Sequence, residues 1–461
     1  MTGIDIREKR NDIGLSQSKL ADITGIEQAR ISAYELGKLN LTNTEIIKIS
    51  KQLEIIDEHT VLKLKKKRFQ NSQHLESIIL QIPRRGYKKT NRNIEYLKTL
   101  NGLENQFQNP PKTGLRAISF FAGCGGLCYG VKAAGFEIVA TNELVEEYKN
   151  IYRQNFPTAN FLPNDIKDIS ENDISEILEK HKTIDLMVGG PPCQGFSLAG
   201  KRDVNDKRNT LFEYYLKIAK QIQPKVILIE NVRLLTSMKD PNGSLVSKRI
   251  LDTFEKIGYV STFYNVNAKD FGVPQHRERV IFIAVRKDLQ KNPSIPEIKF
   301  GNSVNLFNSF DPYFTFGDAV SDLEFLESGE KSKTDKYHWA VKHPEHVIRW
   351  LVDVPEGKSA HDNENPELRP PSGYNTTYKR QVWNEPAGTV ATTYGMISGC
   401  RNVHPIATRS LTTREALRLQ SFPDSFKLIG NDGTIRTVIG NAVPPLLGYE
   451  IAKHLLANYM L

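Results

Sequence analysis

The stretch Arg116-Ala117-Ile118-Ser119-Phe120-Phe121-Ala122-Gly123-Cys124-Gly125-Gly126-Leu127 decides the fold of this 461-residue chain. Its apolar half predicts a buried strand, its glycines predict a tight loop, and residues Tyr129 to Ala134 open a helix. Only glycine lets a backbone come this close to a ligand. The run Val139 to Glu143 predicts the next strand and ends in an acid about 20 residues after the loop, where ribose hydroxyls need a carboxylate. The pattern indicates the cofactor-binding start of an alternating α/β sheet.

A second stretch, Gly189-Gly190-Pro191-Pro192-Cys193-Gln194-Gly195-Phe196-Ser197, follows the apolar run Ile184 to Val188. Cys193 is therefore expected in a loop just past the carboxyl end of a strand, where open α/β sheets carry their chemistry. A thiol acts as a nucleophile through its thiolate, and an exposed loop beside positive charge favours that form. The alternative is a buried structural cysteine beside a tight turn.

Composition bounds the class of protein. The length allows one enzyme domain of about 250 to 300 residues and a smaller one. The net charge of +9 favours a polyanionic partner. No segment approaches the roughly 18 apolar residues of a membrane span, and the N-terminus lacks the apolar core of a signal peptide, so we expect a cytoplasmic protein. The four cysteines cannot form a disulfide scaffold or complete a zinc site, and no metal is expected.

Residues 1–65 predict a small, all-α domain. Ser16 is suited to cap a first helix, Thr24-Gly25-Ile26 is a turn, and Glu27 to Glu35 form a second helix that ends at Gly37. The inward positions are Leu20, Ala21, Ile26 and Ile31. These residues resemble the helix-turn-helix of phage repressors. The resemblance implies DNA contacts by Gln17, near a phosphate, and by Gln28, Ala29 and Arg30 in the major groove. A domain that serves only protein contacts is the alternative, and a dimer through this domain stays open.

Residues 66–112 have the composition of a basic linker and end in Asn109-Pro110-Pro111. A solvated linker is favoured, and contact with backbone phosphates is the alternative.

Several later segments also carry chemistry. The apolar strand Val226 to Val232 contains Glu230, and a buried acid is costly unless it is paired or does work. In the predicted strand from Gln275 to Ala284, alternation of side chains places Gln275, Arg277 and Arg279 on one face. From about Asp288 to Pro386 the pattern is irregular, and the run from Thr389 to Gly395 predicts a strand and turn. A capped helix is predicted within residues 409–423, and Gly440-Asn441-Ala442-Val443-Pro444-Pro445-Leu446 opens a last helix.

Taken in order, the glycine loop, the cysteine loop, the Glu230 strand, the Gln275 to Arg279 segment and the last two motifs resemble the DNA (cytosine-5) methyltransferases. The resemblance implies a Rossmann-like, S-adenosylmethionine-dependent α/β domain at 113–287, completed by 438–461, with a smaller target-recognition domain at 288–437. The all-α helix-turn-helix domain precedes them. The implied partner is double-stranded DNA.

The resemblance also implies the site. Catalytic roles fall to Cys193, Glu230, Arg277 and Arg279. Contacts to the S-adenosylmethionine cofactor fall to Phe121, Gly123, Gly125, Gly126, Leu127, Glu143, Leu144, Asp165, Ile166, Pro191, Asn441 and Val443. Gln275 is a further expected DNA contact. In the family, the thiolate adds to carbon 6 of a flipped cytosine, the glutamate holds ring nitrogen 3, and carbon 5 takes the methyl group.

Three other functions are alternatives. An amino-directed methyltransferase lacks the cysteine in its loop, so Cys193 argues against that chemistry. The tRNA-methylating branch shares most motifs, but the helix-turn-helix and the long variable region favour duplex DNA. The third alternative is a transcription regulator in which the methylase domain has a secondary role. The favoured hypothesis is the modification enzyme of a restriction-modification system that also binds its own operator.

Overall fold

The computed structural model describes residues 2–12, 15–55, 87, 89–192, 211–239, 243–301, 304–305 and 308–460. Cys193 lies outside the described residues. Contacts between Cα atoms divide the chain into two compact units. The smaller unit comprises Met1–Arg84 and Pro344–Val352, and the larger unit comprises Arg85–His343 and Asp353–Leu461. Across the described residues, no helix is long and apolar enough to cross a membrane.

The smaller unit is helical, as predicted. Its helices are α1 (Gly3–Asp12), α2 (Gln17–Thr24), α3 (Gln28–Glu35) and α4 (Asn43–Ile55), and it includes the short helix Glu345–Leu351. Ser16 caps α2 by accepting the Lys19 amide, and Gly25 ends that helix with φ of 67°, a left-handed conformation that suits glycine. Leu20, Ile26 and Ile31 are buried in an apolar core, as predicted, and Ala21 packs against it.

The larger unit is built on a six-stranded sheet in the order β2-β1-β3-β4-β6-β5. The strands are β1 (Arg116–Phe120), β2 (Glu137–Thr141), β3 (Leu186–Gly189), β4 (Val226–Val232), β5 (Tyr259–Asn267) and β6 (Glu278–Arg286). The pairs β1–β2, β1–β3 and β3–β4 are parallel, whereas β6 is antiparallel to both β4 and β5. The strand order reverses at β1, so a ligand crevice is expected past the carboxyl ends of β1 and β3.

Helices cover both faces of this sheet. They are α5 (Asn91–Gln108), α6 (Gly126–Ala133), α7 (Glu146–Asn155), α8 (Glu171–His181), α9 (Leu211–Ile222) and α10 (Val246–Lys256). Successive strand residues point to opposite faces, so Ala117 and Leu186 join one apolar cluster while Ile118 and Met187 join another. Burial on both faces explains why the parallel strands read as continuous apolar runs.

The prediction of a linker over residues 66–112 is wrong for residues 91–108. Residues 91–108 form α5, and its side chains at Tyr96, Leu100, Leu103 and Phe107 are buried in the core of the larger unit. Phe107 stacks on Tyr129 of α6 with ring centroids 3.8 Å apart. The spacing of these apolar residues is that of one helix face, which the basic and polar neighbours obscure.

The region 288–386 is largely irregular, as predicted. From residue 288 to residue 441, the regular elements include β7 (Val304–Asn305), β8 (Asn308–Ser309), α11 (Phe316–Val320), the short helix Glu345–Leu351, α12 (Thr413–Leu419) and α13 (Asp432–Asn441). The predicted α12 has its capping box, formed by Thr412 and Glu415. The strand expected at Thr389 to Gly395 is not formed, because the chain there makes turns after a single bridge between Gln275 and Ala387. The last helix, α14 (Pro445–Tyr459), packs against α6.

Candidate active site

The glycine loop leaves β1 and is shaped by the buried carboxylate of Glu143. One carboxylate oxygen accepts the amide of Gly123 at 2.8 Å and the other accepts the amide of Val145 at 3.0 Å. Burial raises the pKa of Glu143, and the amide donors offset part of that effect. Glu143 therefore fixes the loop just past the end of β2, and its contact with a ribose stays a prediction.

Close packing explains the glycines. A Cβ atom on Gly125 would lie 2.7 Å from the Phe156 ring, and one on Gly126 would clash with the carbonyl oxygen of Val443. A Cβ on Gly123 would instead point into open space, and Gly123 has φ of 57°. The space beside Gly123 therefore leaves room for a bound molecule to approach the backbone.

The other predicted cofactor residues surround this loop unevenly. Leu144 is 60% exposed, so its apolar side chain could pack against a flat ring. Asn441 is also exposed, at the end of α13. Leu127, Ile166 and Val443 are buried, so these side chains shape the wall. The site therefore fits an adenosine-containing cofactor: Glu143 offers an acceptor for ribose, Gly123 an open backbone and Leu144 an exposed apolar side chain.

Asp165 follows an irregular stretch rather than a strand, because the chain before it makes only a single bridge, between Thr141 and Phe161. Asp165 instead caps the short 3-10 helix Ile166–Asp168 by accepting the Lys167 amide, and it also pairs with the Lys167 ammonium at 3.0 Å. Its carboxylate remains partly exposed beside the crevice.

Glu230 lies at the carboxyl end of β4, beside the loop that leads to Cys193. Its Oε1 is 2.8 Å from Nε of Arg279, and both side chains are nearly buried. The Nε–H does not point at that oxygen, so the contact is a charge pair rather than a hydrogen bond. The neighbouring Asn231 donates to the Pro191 carbonyl at 2.8 Å and thereby holds the proline loop against β4. A buried acid is thus paired, as the sequence reasoning required.

Gln275 and Arg277 do not lie on one strand face with Arg279, as the alternation predicted, because β6 begins only at Glu278. Gln275 is fully buried: its amide nitrogen donates to the Leu419 carbonyl and its amide oxygen accepts the Val390 amide. These amide groups are occupied inside the protein, so Gln275 is not exposed for the expected DNA contact. Gln275 thus ties the segment that precedes β6 to the backbone at Val390 and Leu419.

Arg277 is also fully buried. Its guanidinium donates to the carbonyls of Val390 at 3.3 Å and Gly440 at 2.9 Å. Burial lowers its pKa strongly, and the nearby charge of Arg279 adds to this effect. Arg277 therefore lies behind the site and braces two segments, while Arg279 alone of the two pairs with Glu230.

A cavity of about 390 Å³ opens beside this charge pair. It is lined by Arg233, Asn267, His276, Glu278, Arg279 and Thr389. Burial lowers the pKa of His276, and the charges of Lys269 and Arg401 lower it further. Sequence reasoning missed Arg233, Asn267 and His276, because nothing local marks them as neighbours of Glu230. The cavity is large enough for a nucleotide and offers cationic groups for its anionic part.

Cys124 and Cys128 are core residues. Burial raises the pKa of Cys124 to about 12, and Cys128 donates to the Ser119 hydroxyl at 3.1 Å. Among the described residues, no cluster of potential ligands could hold a metal ion.

In the smaller unit, two of the four predicted DNA contacts are exposed. Gln28 and Ala29 lie at the exposed start of α3. Gln17 donates to Glu35 at 2.7 Å, and Arg30 donates to both carboxylate oxygens of Glu45 at 3.0 Å. Glu45 would therefore compete with DNA for the Arg30 guanidinium, and the sequence did not reveal this pairing.

The fold and site define an α/β enzyme with a cofactor crevice at the switch point of its sheet and a paired acid beside it. Comparison with known proteins narrows this class. The profile of C-5 cytosine-specific DNA methylases matches residues 115–457, and a helix-turn-helix profile matches residues 6–57. This chain therefore belongs to the C-5 cytosine-specific DNA methylase family, whose members generally use S-adenosylmethionine, and it is a DNA (cytosine-5)-methyltransferase.

Several relatives are similar over most of their length. Type II methyltransferase M1.HphI of Haemophilus parahaemolyticus is 37% identical over 348 residues, 74% of this chain and 87% of its own. Type II methyltransferase M.Sau96I of Staphylococcus aureus is 30% identical and aligns with 98% of this chain and 97% of its own. Entamoeba histolytica methyltransferase EhMeth shares the fold, with a TM-score of 0.51 at 19% identity over 74% of this chain and 98% of its own.

Proposed function

We propose that this enzyme is the modification methyltransferase of a restriction-modification system and methylates a flipped cytosine within a short duplex DNA target. The observation that carries the proposal is the position of Glu230. It is paired with Arg279 at 2.8 Å and lies beside Gly190 and Pro191, which directly precede the Pro192-Cys193 dipeptide in sequence. The names of M1.HphI and M.Sau96I support the biological role.

The chemistry starts with the ring, because carbon 5 of cytosine is a poor nucleophile until carbon 6 has been attacked. The Cys193 thiolate adds to carbon 6, and Glu230 hydrogen-bonds ring nitrogen 3 and the amino group, which favours the enamine-like product. S-Adenosylmethionine, when bound, supplies the methyl group to carbon 5. Loss of the carbon 5 proton and expulsion of the thiolate then restore the aromatic ring. A stacked base cannot reach this site, so the nucleotide must leave the helix.

The cofactor is proposed to lie along the glycine loop. Gly123 presents the open backbone, Glu143 accepts from the ribose, and Leu144 contacts the adenine. Asp165 is the proposed acceptor for the adenine amino group, using the part of its carboxylate that remains exposed.

Labelled methyl groups test the proposal. Bisulfite sequencing of DNA from cells that express the chain should find methylated cytosines at one short sequence, and purified enzyme should transfer label to the same duplex. Cys193→Ser should bind the cofactor but transfer no label, whereas Cys400→Ser, which changes an exposed cysteine, should remain active. Transfer of label to an exocyclic nitrogen, or to tRNA in preference to duplex DNA, would contradict the proposal.

A trapping experiment tests the nucleophile. DNA that carries 5-fluorocytosine at the target should form an adduct resistant to denaturation, since fluorine cannot leave as a proton does. The adduct should be absent with Cys193→Ser. An adduct of unchanged yield in that variant would remove Cys193 as the nucleophile.

The match of residues 6–57 to a helix-turn-helix profile supports a second role, operator binding. The exposed Gln28 and Ala29 are the side chains proposed to read bases. Gln28→Ala in the full chain should weaken binding to the promoter region of its own gene while leaving methyl transfer unchanged. Loss of methyl transfer in this variant would instead make the smaller unit part of target recognition. A symmetric operator would indicate that two copies bind as a dimer.

A further inference from the structure

The segment 369–377 of the larger unit exposes the most accessible large apolar side chain among the described residues. Tyr374 is 79% exposed, and residues 371–376 are exposed throughout. Within the described part of the chain, the Tyr374 hydroxyl has no hydrogen-bond partner. An aromatic side chain left in water is informative only if its backbone is held in place.

The segment is fixed on both sides of Tyr374. Thr377 donates through its amide and its hydroxyl to the Tyr374 carbonyl, each at 2.8 Å, which closes the tip into a turn. Asn375 donates to Asp362 at 2.9 Å, and Arg369 donates to the Asn363 carbonyl at 2.7 Å. The tip is therefore preorganised although its outer side chains are free.

Its base is anchored in the protein interior. The Arg380 side chain is 2% exposed and donates to the carbonyls of His404 at 2.9 Å and Ala407 at 2.7 Å. The backbone of Ser359 bridges to Lys379, and that of Arg380 bridges to Val403. A tip held this firmly loses little conformational entropy when it binds a partner.

The base of the segment is also continuous with the wall of the cavity beside Glu230. The buried Gln381 accepts the Gly388 amide at 2.9 Å and donates to the Arg401 carbonyl. Thr389, the next residue, lines the cavity and donates to the His276 carbonyl at 2.6 Å. The exposed tip and the cavity wall are thus joined by buried hydrogen bonds within one unit.

We infer that Tyr374 is a specificity-determining residue that contacts base edges of the DNA target flanking the flipped cytosine. This inference rests on the proposed function. A tyrosine suits the role because its hydroxyl can donate to or accept from a base edge, and its ring can contact a thymine methyl group. Because the tip is joined to the cavity wall by hydrogen bonds, Tyr374 would be held at a fixed distance from the flipped cytosine.

The test uses the full-length enzyme and the target found by bisulfite sequencing. Initial rates are measured on a set of duplexes in which each base pair around the methylated cytosine is replaced in turn. In Tyr374→Ala, the ratio of kcat/KM for the target over the replaced duplex should fall about 10-fold at one or two positions. Ile94→Ala, which truncates a side chain that is 75% exposed on α5, is the matched control and should keep every ratio.

A second variant acts through the backbone of the tip. Gly373 has φ of 130°, which L side chains rarely adopt, and a Cβ atom there would lie 2.8 Å from Nε2 of His361, so we expect Gly373→Ala to strain and shift the tip. It should lose discrimination at the same positions while cofactor affinity stays unchanged. Unchanged ratios in both variants would overturn the inference, and so would an equal loss of rate on every duplex. A wild-type enzyme that methylates no carbon 5 would instead contradict the proposed function.

Discussion

The buried ion pair between Arg409 and Glu415 allows a quantitative prediction for Glu415→Gln. Both side chains are fully buried, and the guanidinium donates to the two carboxylate oxygens at 2.7 and 2.9 Å. Glu415 also accepts the Thr412 amide at 2.9 Å, which caps α12, and the Tyr87 hydroxyl at 3.3 Å. Through Tyr87, the pair thus joins the start of the larger unit to α12.

The substitution replaces one acceptor oxygen by an amide that donates, so it removes the negative charge that is hydrogen-bonded to the buried guanidinium. Breaking a buried pair in this way costs about 3 to 5 kcal/mol. Two charge-assisted hydrogen bonds at about 1.5 to 3 kcal/mol each give a similar range. We therefore expect urea denaturation at neutral pH to show a loss of about 4 kcal/mol in the free energy of unfolding.

The pH dependence gives the same prediction an independent check. Burial alone would raise the pKa of Glu415, but the Arg409 charge holds it well below the ordinary value of 4.5. A carboxyl with a depressed pKa contributes stability above its unfolded pKa, and this contribution is lost as the pH falls. The stability difference between wild type and Glu415→Gln should be constant above about pH 5 and should narrow below it.

Glu137→Gln is the matched control, because Glu137 is 66% exposed and 4.0 Å from Arg116. Its effect should be below about 0.5 kcal/mol. A loss smaller than about 1 kcal/mol in Glu415→Gln, or a difference that stays constant down to about pH 3, would refute the reasoning.

Three further variants probe the site and the smaller unit. Glu230→Gln should lower kcat by about 100-fold or more while cofactor affinity, measured by calorimetry, stays unchanged, and weaker cofactor binding would contradict its placement. Gly126→Ala should weaken cofactor binding at least 10-fold, because its Cβ must displace the Val443 carbonyl, and unchanged affinity would show that the loop adapts. Glu45→Gln should release Arg30 and strengthen operator binding in mobility-shift titrations, whereas weaker binding would show that their pairing orients the guanidinium.

The features that the sequence predicted well are local ones. The β1 strand, the glycine loop and α6 follow from consecutive apolar residues and glycines, and the capping box of α12 follows from Thr412 and Glu415. Gln275 could not be read in this way, because its partners lie 144 and 145 residues away at Leu419 and Gln420. The sequence pattern shows which residues alternate along a strand. Whether a polar side chain is exposed to solvent or hydrogen-bonds a distant backbone group depends on the fold.

The segment that precedes the methylase profile belongs to the enzyme. The profile begins at residue 115, yet α5 already joins two parts of the larger unit. Near its start, Asn93 donates to the Asp318 carbonyl at 2.9 Å and the Tyr96 hydroxyl donates to the Arg418 carbonyl at 2.5 Å. Near its end, Phe107 stacks on Tyr129, next to the glycine loop. Because one helix contacts both α12 and α6, it holds these two parts of the larger unit at a fixed spacing, and the larger unit therefore includes α5 although the profile begins after it.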